Sequence, residues 1–185
     1  LAAVVEGKCV DTTMGLTPLE GVMMGTRSGD IDGGAVAFIQ KKLGLDADGI
    51  SDLLNKKSGI AGLTGLSSDM RDIENAANAG NERAQIAQDS YFYRIKKYVG
   101  AYAAAMGGID VLVFTAGVGE NQTPMREDVC RGLEFMGIKI DAEKNAKIRG
   151  EEAIISTPDS RVKVVVIPTD EELMIASDTM ALISK

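Results

Sequence analysis

The amino-acid sequence predicts an α/β domain in which helices flank a mixed sheet. Short runs rich in Val and Ile, each bounded by Gly, Pro or Asp, alternate with longer stretches whose apolar residues lie three and four apart. The 185 residues show no internal repeat and no low-complexity linker, so one domain is expected. The predicted strands cover residues 8–12, 109–115, 138–140, 153–156 and 162–167.

The predicted helices are recognised by signals at their ends. Thr17 and Glu20 form a capping box around a proline at the first helical position, which predicts a helix over residues 17–25. A second capping box, formed by Thr169 and Glu172, opens the last helix. That last helix covers residues 170–184. The spacing of apolar residues, together with glycines at the helix ends, predicts further helices over residues 34–43, 51–57, 81–106 and 123–136.

Composition restricts the function. The chain has 20 Lys and Arg against 27 Asp and Glu, a net charge of −7, which disfavours nucleic-acid and anionic membrane partners. It contains no His, so imidazole-based catalysis and imidazole zinc sites are excluded, and catalysis would rest on carboxylates, Arg, Lys and backbone amides. Cys9 and Cys130 are too few to form a disulfide framework, which predicts free buried thiols in a reducing compartment, the cytoplasm.

Residues 114–121, which read FTAGVGEN, follow the most apolar strand and precede a helix, where open α/β sheets bind ligands. Gly117 and Gly119 allow backbone amides to approach an anion or a ring closely, and Asn121 adds a side-chain amide. The dinucleotide fingerprint is absent because Gln122 stands where its third Gly belongs. A plain strand-to-helix turn is therefore about as well supported as phosphate or nucleoside contact.

Arg27 lies in a polar loop, residues 25–34, that also holds four Gly and two Asp. The loop lacks a hydrophobic pattern, so ordering it costs conformational entropy. A guanidinium presents forked donors and keeps its proton, which suits stabilisation of charge on a transferring phosphoryl group. Pairing of Arg27 with Asp30 or Asp32, to fix the loop, is at least as well supported by the pattern alone.

Two helix starts carry further candidate residues. Asp69 and Arg71 begin a short helix, where Asp69 could accept hydrogen bonds from a ribose and Arg71 could contact a base. Capping of that helix is the favoured alternative. Glu171 and Glu172 lie in the first turn of the last helix, where both interact favourably with the helix dipole and one of them could hold Mg²⁺. Capping explains Glu172 well and Glu171 less well.

A resemblance to a known family is carried by residues 11–32, which read DTTMGLTPLEGVMMGTRSGDID and closely resemble the second signature of the acetate kinase family. The resemblance implies a ribonuclease-H-like domain of the actin-like ATPase superfamily, and it makes residues 1–185 the C-terminal nucleotide-binding domain of a two-domain acetate kinase. It covers essentially the whole chain, because further family motifs follow in order at residues 67–72, 114–121, 147–150 and 168–172.

The resemblance implies transfer of the ATP γ-phosphoryl group to acetate, giving acetyl phosphate and ADP, with Mg²⁺ or Mn²⁺. Arg27 then stabilises the transferring group, and Glu171 is the metal-associated residue, although an alignment shift of one residue would replace it with Asp170 or Glu172. The nucleotide-binding residues implied by the resemblance are Asp69, Met70, Arg71, Gly117, Val118, Gly119, Glu120 and Asn121.

The resemblance also implies a cytoplasmic homodimer, with no nucleic-acid or membrane partner. The family's other catalytic groups, an Asp, a His and a further Arg among them, belong to an N-terminal domain that has no match here, so the chain alone is expected to be inactive or nearly so. Gly33 departs from the family, which often has Pro there. The alternatives are a propionate or butyrate kinase of the same family and a non-enzymatic ATP-binding or assembly module.

Overall fold

The computed structural model describes residues 1–184, which divide into two compact units. The first unit is Leu1–Gly108 and the second begins at Ile109. The boundary follows Gly107, which has a left-handed conformation and ends the longest helix of the first unit.

An antiparallel hairpin opens the first unit, with strands β1 (Ala2–Val5) and β2 (Lys8–Thr12). Glu6 and Gly7 form its turn at φ of 50° and 76°, the two-residue geometry that matches the twist of paired strands. Strand β2 confirms the predicted strand over residues 8–12. Strand β1 is an additional strand that the sequence analysis did not predict.

Polar side chains cap the starts of four of the five helices in the first unit, and three of the five end at a glycine. Carboxylate or amide side chains of Asp32, Asp46, Asp69 and Asn81 accept hydrogen bonds from backbone N–H groups in the first turns. The predicted helices over residues 34–43, 51–57 and 81–106 are confirmed, the second starting four residues earlier than predicted. Their bounds are α1 (Gly33–Leu43), α2 (Ala47–Lys56), α3 (Gly59–Thr64), α4 (Met70–Asn78) and α5 (Glu82–Met106).

Helix α5 forms the centre of the first unit and packs on α3, α4 and β1. Ala84, Ala87 and Ile95 follow one another at intervals of three and eight residues along α5 and are buried on this face. Ile60 of α3 and Ile73 of α4, which are 1% and 0% exposed, complete the core against them. The helix predicted over residues 81–106 is therefore buried along one face, which packs mainly against other helices.

The predicted helix over residues 17–25 is wrong. Thr17 accepts a backbone hydrogen bond from Leu19, as a cap would, but no helical turn follows. Gly21 has a φ of +99°, and its N–H donates to the Asp30 carboxylate at 2.8 Å instead of to a helical carbonyl. A contact nine residues away in the chain therefore overrides the local capping signal.

The second unit contains the predicted mixed sheet. Its central strand pairs in parallel with one neighbour and antiparallel with the other. The predicted strand over residues 138–140 is reduced to two isolated bridges, Ile138 with Val162 and Ile140 with Ser156. The sheet order is β3 (Val111–Phe114), β5 (Lys163–Val166) and β4 (Ala153–Ile154).

Helices of the second unit differ in two places from the prediction. The helix predicted over residues 123–136 is interrupted because Arg131, with a ψ of 125°, and Gly132, with a φ of +81°, leave the helical conformation. The capping box at Thr169 is also wrong, since the Asp170 carboxylate caps the last helix by accepting a backbone N–H three residues on, at 2.9 Å. The bounds are α6 (Ala116–Asn121), α7 (Thr123–Cys130), a 3₁₀ turn (Glu134–Met136), α8 (Ala142–Lys147) and α9 (Glu171–Ile183).

Neither cysteine forms a disulfide, as predicted, but the two differ in exposure. Cys130 is buried in α7, whereas Cys9 on strand β2 is exposed, so the expectation of two buried thiols is wrong for Cys9. Strand β2 has exposed residues along its whole length, which places every side chain of that strand at the surface.

Helix α9 exposes an unusually apolar surface. It has no buried residue, and Leu173, Ile175 and Leu182 are 61%, 67% and 71% exposed. Val111 and Val113 of strand β3 are each 45% exposed. Contiguous exposed apolar side chains are typical of interaction surfaces and of ligand-binding grooves. Across residues 1–184, no helix combines the length and the apolar character needed to cross a membrane.

Replacement of Gly59 by Ala tests the close packing of the first unit. Gly59 has a φ of +62°, and a Cβ there would lie 2.2 Å from the Met24 carbonyl oxygen. We expect Gly59→Ala to lower the free energy of unfolding by about 2–5 kcal/mol, the sum of left-handed strain and overpacking. Gly44→Ala is the matched control because its φ is +65° with no atom near the added Cβ; it should cost about 1–2 kcal/mol. Equal losses in urea denaturation would contradict this account.

Candidate functional site

The loop that carries Arg27 is held in place by backbone hydrogen bonds to the segment that runs from α2 into α3. The donors and acceptors are Ser28 N to Leu54 O, Ser58 N to Thr26 O, Ile60 N to Met24 O and Ala61 N to Gly25 O, at 2.8–3.0 Å. Within the loop, Met24 N donates to Arg27 O at 3.0 Å. These bonds offset the entropy cost that the sequence predicted, so Arg27 projects from an ordered backbone.

Asp30 fastens the end of this loop to helix α5. Its Oδ2 atom accepts hydrogen bonds from Arg94 Nη1 at 2.8 Å and from the Tyr98 hydroxyl at 2.5 Å, and its Oδ1 atom accepts from Gly21 N at 2.8 Å. Partial burial by itself raises the pKa of Asp30, but the hydrogen bonds from Tyr98, Gly21 and Arg94 outweigh it and lower that pKa. Burial and the bond to Asp30 raise the pKa of Tyr98 to about 12.

Arg27 pairs with neither of the aspartates that the sequence offers. Asp30 is engaged by Arg94, and Asp32 caps α1 by accepting from Gly34 N at 3.0 Å. The Arg27 Nη1 atom contacts Met24 Sδ at 3.8 Å, and no ion pair within residues 1–184 involves Arg27. The guanidinium is thus half-buried without a carboxylate to neutralise it, which is a suitable state for binding an anion.

Arg27 and Thr26 line a cleft of about 660 Å³ together with polar residues of α2. Asp52, in that cleft, forms ion pairs with Lys56 at 2.9 Å and Lys57 at 2.7 Å. Hydrogen bonds from Lys57 and Lys56 lower the pKa of Asp52 to about 2. The carboxylate is therefore neutralised by lysines at the C-terminal end of α2, and the charge of Arg27 stays available.

The predicted adenosine-contacting segment, residues 67–72, lies against the Arg27 loop. A Cβ on Gly25 would lie 2.7 Å from the Ser68 carbonyl oxygen, so the two backbones touch. Asp69 caps α4 by accepting from Arg71 N at 2.8 Å, which confirms the capping interpretation. Met70 is buried, at 9% exposure, so only its backbone is available to a ligand.

Asp69 and Arg71 also bind each other, with Nη2 and Oδ2 at 2.6 Å. Hydrogen bonds from the Arg71 side chain and backbone lower the pKa of Asp69 to about 2. The Arg71 side chain is 84% exposed, and exposed ion pairs of this kind contribute little to stability. A ligand could therefore separate the pair at small cost and use both groups.

The segment of residues 116–121 forms a short helix, α6, directly after strand β3. The Asn121 side chain donates to Gly117 O at 3.0 Å, and Glu120 Oε1 accepts from Thr169 N at 2.8 Å, so both side chains have structural partners. A Cβ on Gly119 would lie 3.1 Å from the Phe114 carbonyl carbon, whereas one on Gly117 would meet nothing within 4 Å. Packing explains Gly119, and Gly117 is the glycine open to a ligand.

Thr169 links α6 to the start of α9. Its Oγ1 atom accepts from Ala116 N at 3.0 Å and shares a hydrogen bond with Thr115 Oγ1 at 2.8 Å. Together with the bond from its N–H to Glu120, these contacts bring the candidate segment 117–121 next to the turn that carries Glu171. The sequence predicted a helix cap for the Thr169 hydroxyl, because the partners of its actual bonds lie about 50 residues away in the chain.

Glu171 is exposed in the first turn of α9. Within residues 1–184, no group of three or more His, Cys, Asp or Glu side chains is arranged to hold a metal ion. Mg²⁺ is often bound by one or two carboxylates together with phosphate oxygens and water. A single exposed carboxylate therefore fits an ion whose other ligands are phosphate oxygens of a nucleotide and water. The Asp170 carboxylate is used as the cap of α9, which leaves Glu171 and Glu172 as candidate ligands.

Solved structures similar to this chain include an acetate kinase and a propionate kinase. The crystal structure of the Porphyromonas gingivalis acetate kinase matches with a TM-score of 0.95 and 60% identity, over 98% of this chain and 46% of that one. A propionate kinase from Francisella tularensis matches with a TM-score of 0.87 and 42% identity, over 95% of this chain and 44% of that one. These matches confirm the predicted fold.

The family follows from the sequence comparison. The acetokinase family model matches residues 1–177, and the chain belongs to that family. The curated acetate kinase of Bacteroides thetaiotaomicron is 68% identical over 185 residues, which are 100% of this chain and 46% of that protein. The chain thus spans about half the length of the curated relatives it matches, and the family resemblance seen in the sequence is confirmed.

Replacement of Tyr98 by Phe tests the bond that fastens the Arg27 loop. The folded-state pKa of about 12 exceeds the ordinary value of 10.0, so stabilisation by neutral Tyr98 is complete below pH 10 and is lost as the pH rises towards 12. The free energy of unfolding should fall between pH 10 and about 12 in the wild type. In Tyr98→Phe this fall should be smaller, because the titrating hydroxyl is absent. Urea titrations from pH 9 to about 12 measure it.

Tyr93→Phe is the control, because the Tyr93 side chain is 64% exposed and makes no contact with Asp30. It should leave the pH dependence as in the wild type. The account of the Asp30 cluster is contradicted if the two variants show the same dependence of unfolding free energy on pH.

Proposed function

We propose that this chain is the C-terminal nucleotide-binding domain of a two-domain acetate kinase, which transfers the γ-phosphoryl group of ATP to acetate and gives acetyl phosphate and ADP, reversibly. The observation that carries the proposal is the half-buried Arg27 guanidinium, which lies on an ordered loop without a carboxylate partner. Membership of the acetokinase family and curated acetate kinases at 68–69% identity support it.

Arg27 is the proposed catalytic residue. Phosphoryl transfer develops charge on the oxygens of the moving group, and enzymes accelerate it mainly by positioning and by charge stabilisation. A guanidinium that is already held in place needs no reorganisation when this charge appears. The backbone bonds of the loop and the Asp30 contacts with Arg94 and Tyr98 supply that preorganisation.

Each unit is proposed to offer one nucleotide-binding segment. In the first unit, Asp69 and Arg71 offer a carboxylate for ribose hydroxyls and a planar cation for the base, while Met70 offers only its backbone. In the second unit, the candidate residues are Gly117, Val118, Gly119, Glu120 and Asn121. Because the Glu120 and Asn121 side chains have internal partners, this segment would bind chiefly through its backbone around Gly117.

Glu171 is the proposed protein ligand of Mg²⁺, or of Mn²⁺ in its place. When bound, the divalent ion neutralises phosphate charge and orients the phosphate oxygens. The role of this chain is to present one exposed carboxylate at the start of α9, next to the segment of residues 117–121. Glu172 is the alternative ligand because it is also exposed and lies in the same turn.

The chain is proposed to be inactive or nearly inactive alone. The other domain would bind the phosphoryl acceptor and would supply the remaining catalytic side chains. The exposed apolar side chains of α9 and β3 support the proposal that a further domain packs on this chain, since such surfaces are often interaction sites. We further propose a cytoplasmic homodimer with ATP or ADP and acetate or acetyl phosphate as its small-molecule partners.

Propionate is the alternative acyl substrate. The match to a propionate kinase structure at 42% identity shows that the same domain fold serves that acid. Acetate is favoured because the curated acetate kinases are 60–69% identical to the chain. A non-enzymatic ATP-binding module is disfavoured, because binding alone does not require an arginine kept without a counterion.

Replacement of Arg27 by Ala in the full-length polypeptide tests the proposed function. We expect kcat for acetyl phosphate formation to fall by about 10³-fold or more, because an arginine that stabilises the transferring group contributes on that scale. The KM for ATP should change by less than about threefold, since the lost interaction forms in the transition state. Coupled detection of ADP formation, with acetate, propionate and butyrate compared, measures both quantities.

Arg83→Ala is the matched control, because Arg83 is an exposed arginine of helix α5. It should retain wild-type kcat, and the 185-residue chain assayed alone should show no turnover. Arg27→Ala with near wild-type kcat would overturn the assignment of Arg27. A full-length protein that binds ATP but phosphorylates none of the three acids would overturn the kinase proposal itself.

A further inference from the structure

Arg126 of helix α7 is a fully buried cation. It is 0% exposed and is the largest of the fully buried side chains. No ion pair within residues 1–184 involves it. Burial and the nearby charge of Arg149 lower the pKa of Arg126 to about 10, so the group stays charged near neutral pH. A buried charge without a counterion is expensive and requires an explanation in its hydrogen bonds.

The acceptors of the Arg126 guanidinium come from the ends of two helices. Nη1 donates to Gly119 O and to Glu120 O, both at 2.8 Å, in the last turn of α6. Nη2 donates to Ile148 O at 2.6 Å and to Asn145 O at 3.3 Å, at the end of α8. Terminal carbonyls of helices lack intrahelical donors and carry partial negative charge, so one guanidinium caps both helices.

Asn145 completes this arrangement from α8. Its side chain is buried, at 1% exposure, and its Oδ1 atom accepts from Arg126 Nε at 2.8 Å. Its Nδ2 atom donates to Thr123 O at 2.9 Å, at the start of α7. Three helices are therefore joined by a pair of buried polar side chains whose geometry is fixed from both sides.

We propose that Arg126 is a positioning residue for nucleotide binding, because it clamps the carbonyls of Gly119 and Glu120 within the segment of residues 117–121. This inference rests on the proposed function, in which that segment contacts ATP through its backbone. Arg126 is buried and does not touch the nucleotide. Its bonds hold one side of α6, so the backbone around Gly117 keeps a single arrangement when the nucleotide binds.

Lysine and methionine variants of Arg126 in the full-length polypeptide test this inference. Arg126→Lys keeps the charge but loses the fork of donors, and Arg126→Met removes both. We expect the KM for ATP and the Kd for ADP to rise by about tenfold in the lysine variant and by about 100-fold in the methionine variant, because small misplacements of binding groups have effects of this size. The KM for acetate should stay within about twofold in both.

Arg149→Met is the matched control, because Arg149 lies near the same end of α8 but is exposed, and donates to Ala146 O at 3.1 Å. It should leave the Kd for ADP at the wild-type value. Calorimetric titration with ADP and steady-state kinetics with each substrate varied provide the readouts. A loss of thermal stability alone is what a purely structural residue would show.

The inference is overturned if the lysine and methionine variants bind ADP like the wild type, or if the KM values for ATP and acetate rise together. If neither variant folds, Asn145→Ala replaces them, since it keeps the guanidinium and removes the acceptor of Nε; a KM for ATP equal to that of the wild type then overturns the inference. Absence of turnover with acetate in the wild type would overturn the proposed function as well, whereas wild-type turnover with unaffected variants refutes only the role of Arg126.

Discussion

The availability of the Arg27 guanidinium depends on which groups hold its loop in place. Its order comes from backbone hydrogen bonds to the chain between α2 and α3 and from the Asp30 contacts with α5, without an ion pair to Arg27 itself. A loop fixed by its own arginine would lose that charge to a local aspartate. Because other groups hold the loop, the guanidinium remains free for an external anion. Gly59 makes this possible, since only a residue without a Cβ lets the Met24 carbonyl approach so closely.

In the second unit, too, contacts between distant parts of the chain hold a candidate segment in place, but other side chains make these contacts. Polar side chains that sequence inspection assigns to capping or to the surface instead connect backbone segments that are distant in the chain. Thr169 joins the end of β3 and the start of α6 to the start of α9, and Arg126 joins the ends of α6 and α8. The segment of residues 117–121 is thereby held by its neighbours on more than one side, so the backbone proposed to bind the nucleotide is ordered before a ligand arrives.

The periodicity of apolar residues and the family motif predicted much of this fold. Predictions from local capping residues were wrong where contacts with distant parts of the chain determined the backbone. The long helix α5, the mixed sheet and the family were all predictable, because apolar spacing and a motif of twenty-odd residues are strong signals. The helix over residues 17–25 was not, since Asp30 captures the N–H of Gly21. Arg126 carried no signal either, because an arginine in a polar helical segment normally predicts a solvent-exposed side chain. Its burial follows from two helix ends that meet only in the folded chain.

The most direct test of the central claim is a comparison of two ligands in the full-length polypeptide. ADP alone should bind equally to the wild type and to Arg27→Ala, whereas ADP with acetate and a planar fluoroaluminate, which imitates the transferring phosphoryl group, should bind the wild type about 100-fold more tightly or better. Calorimetry gives both affinities. The account predicts that the preference for the imitated transition state is lost with the guanidinium. An equal preference in the two proteins would contradict it.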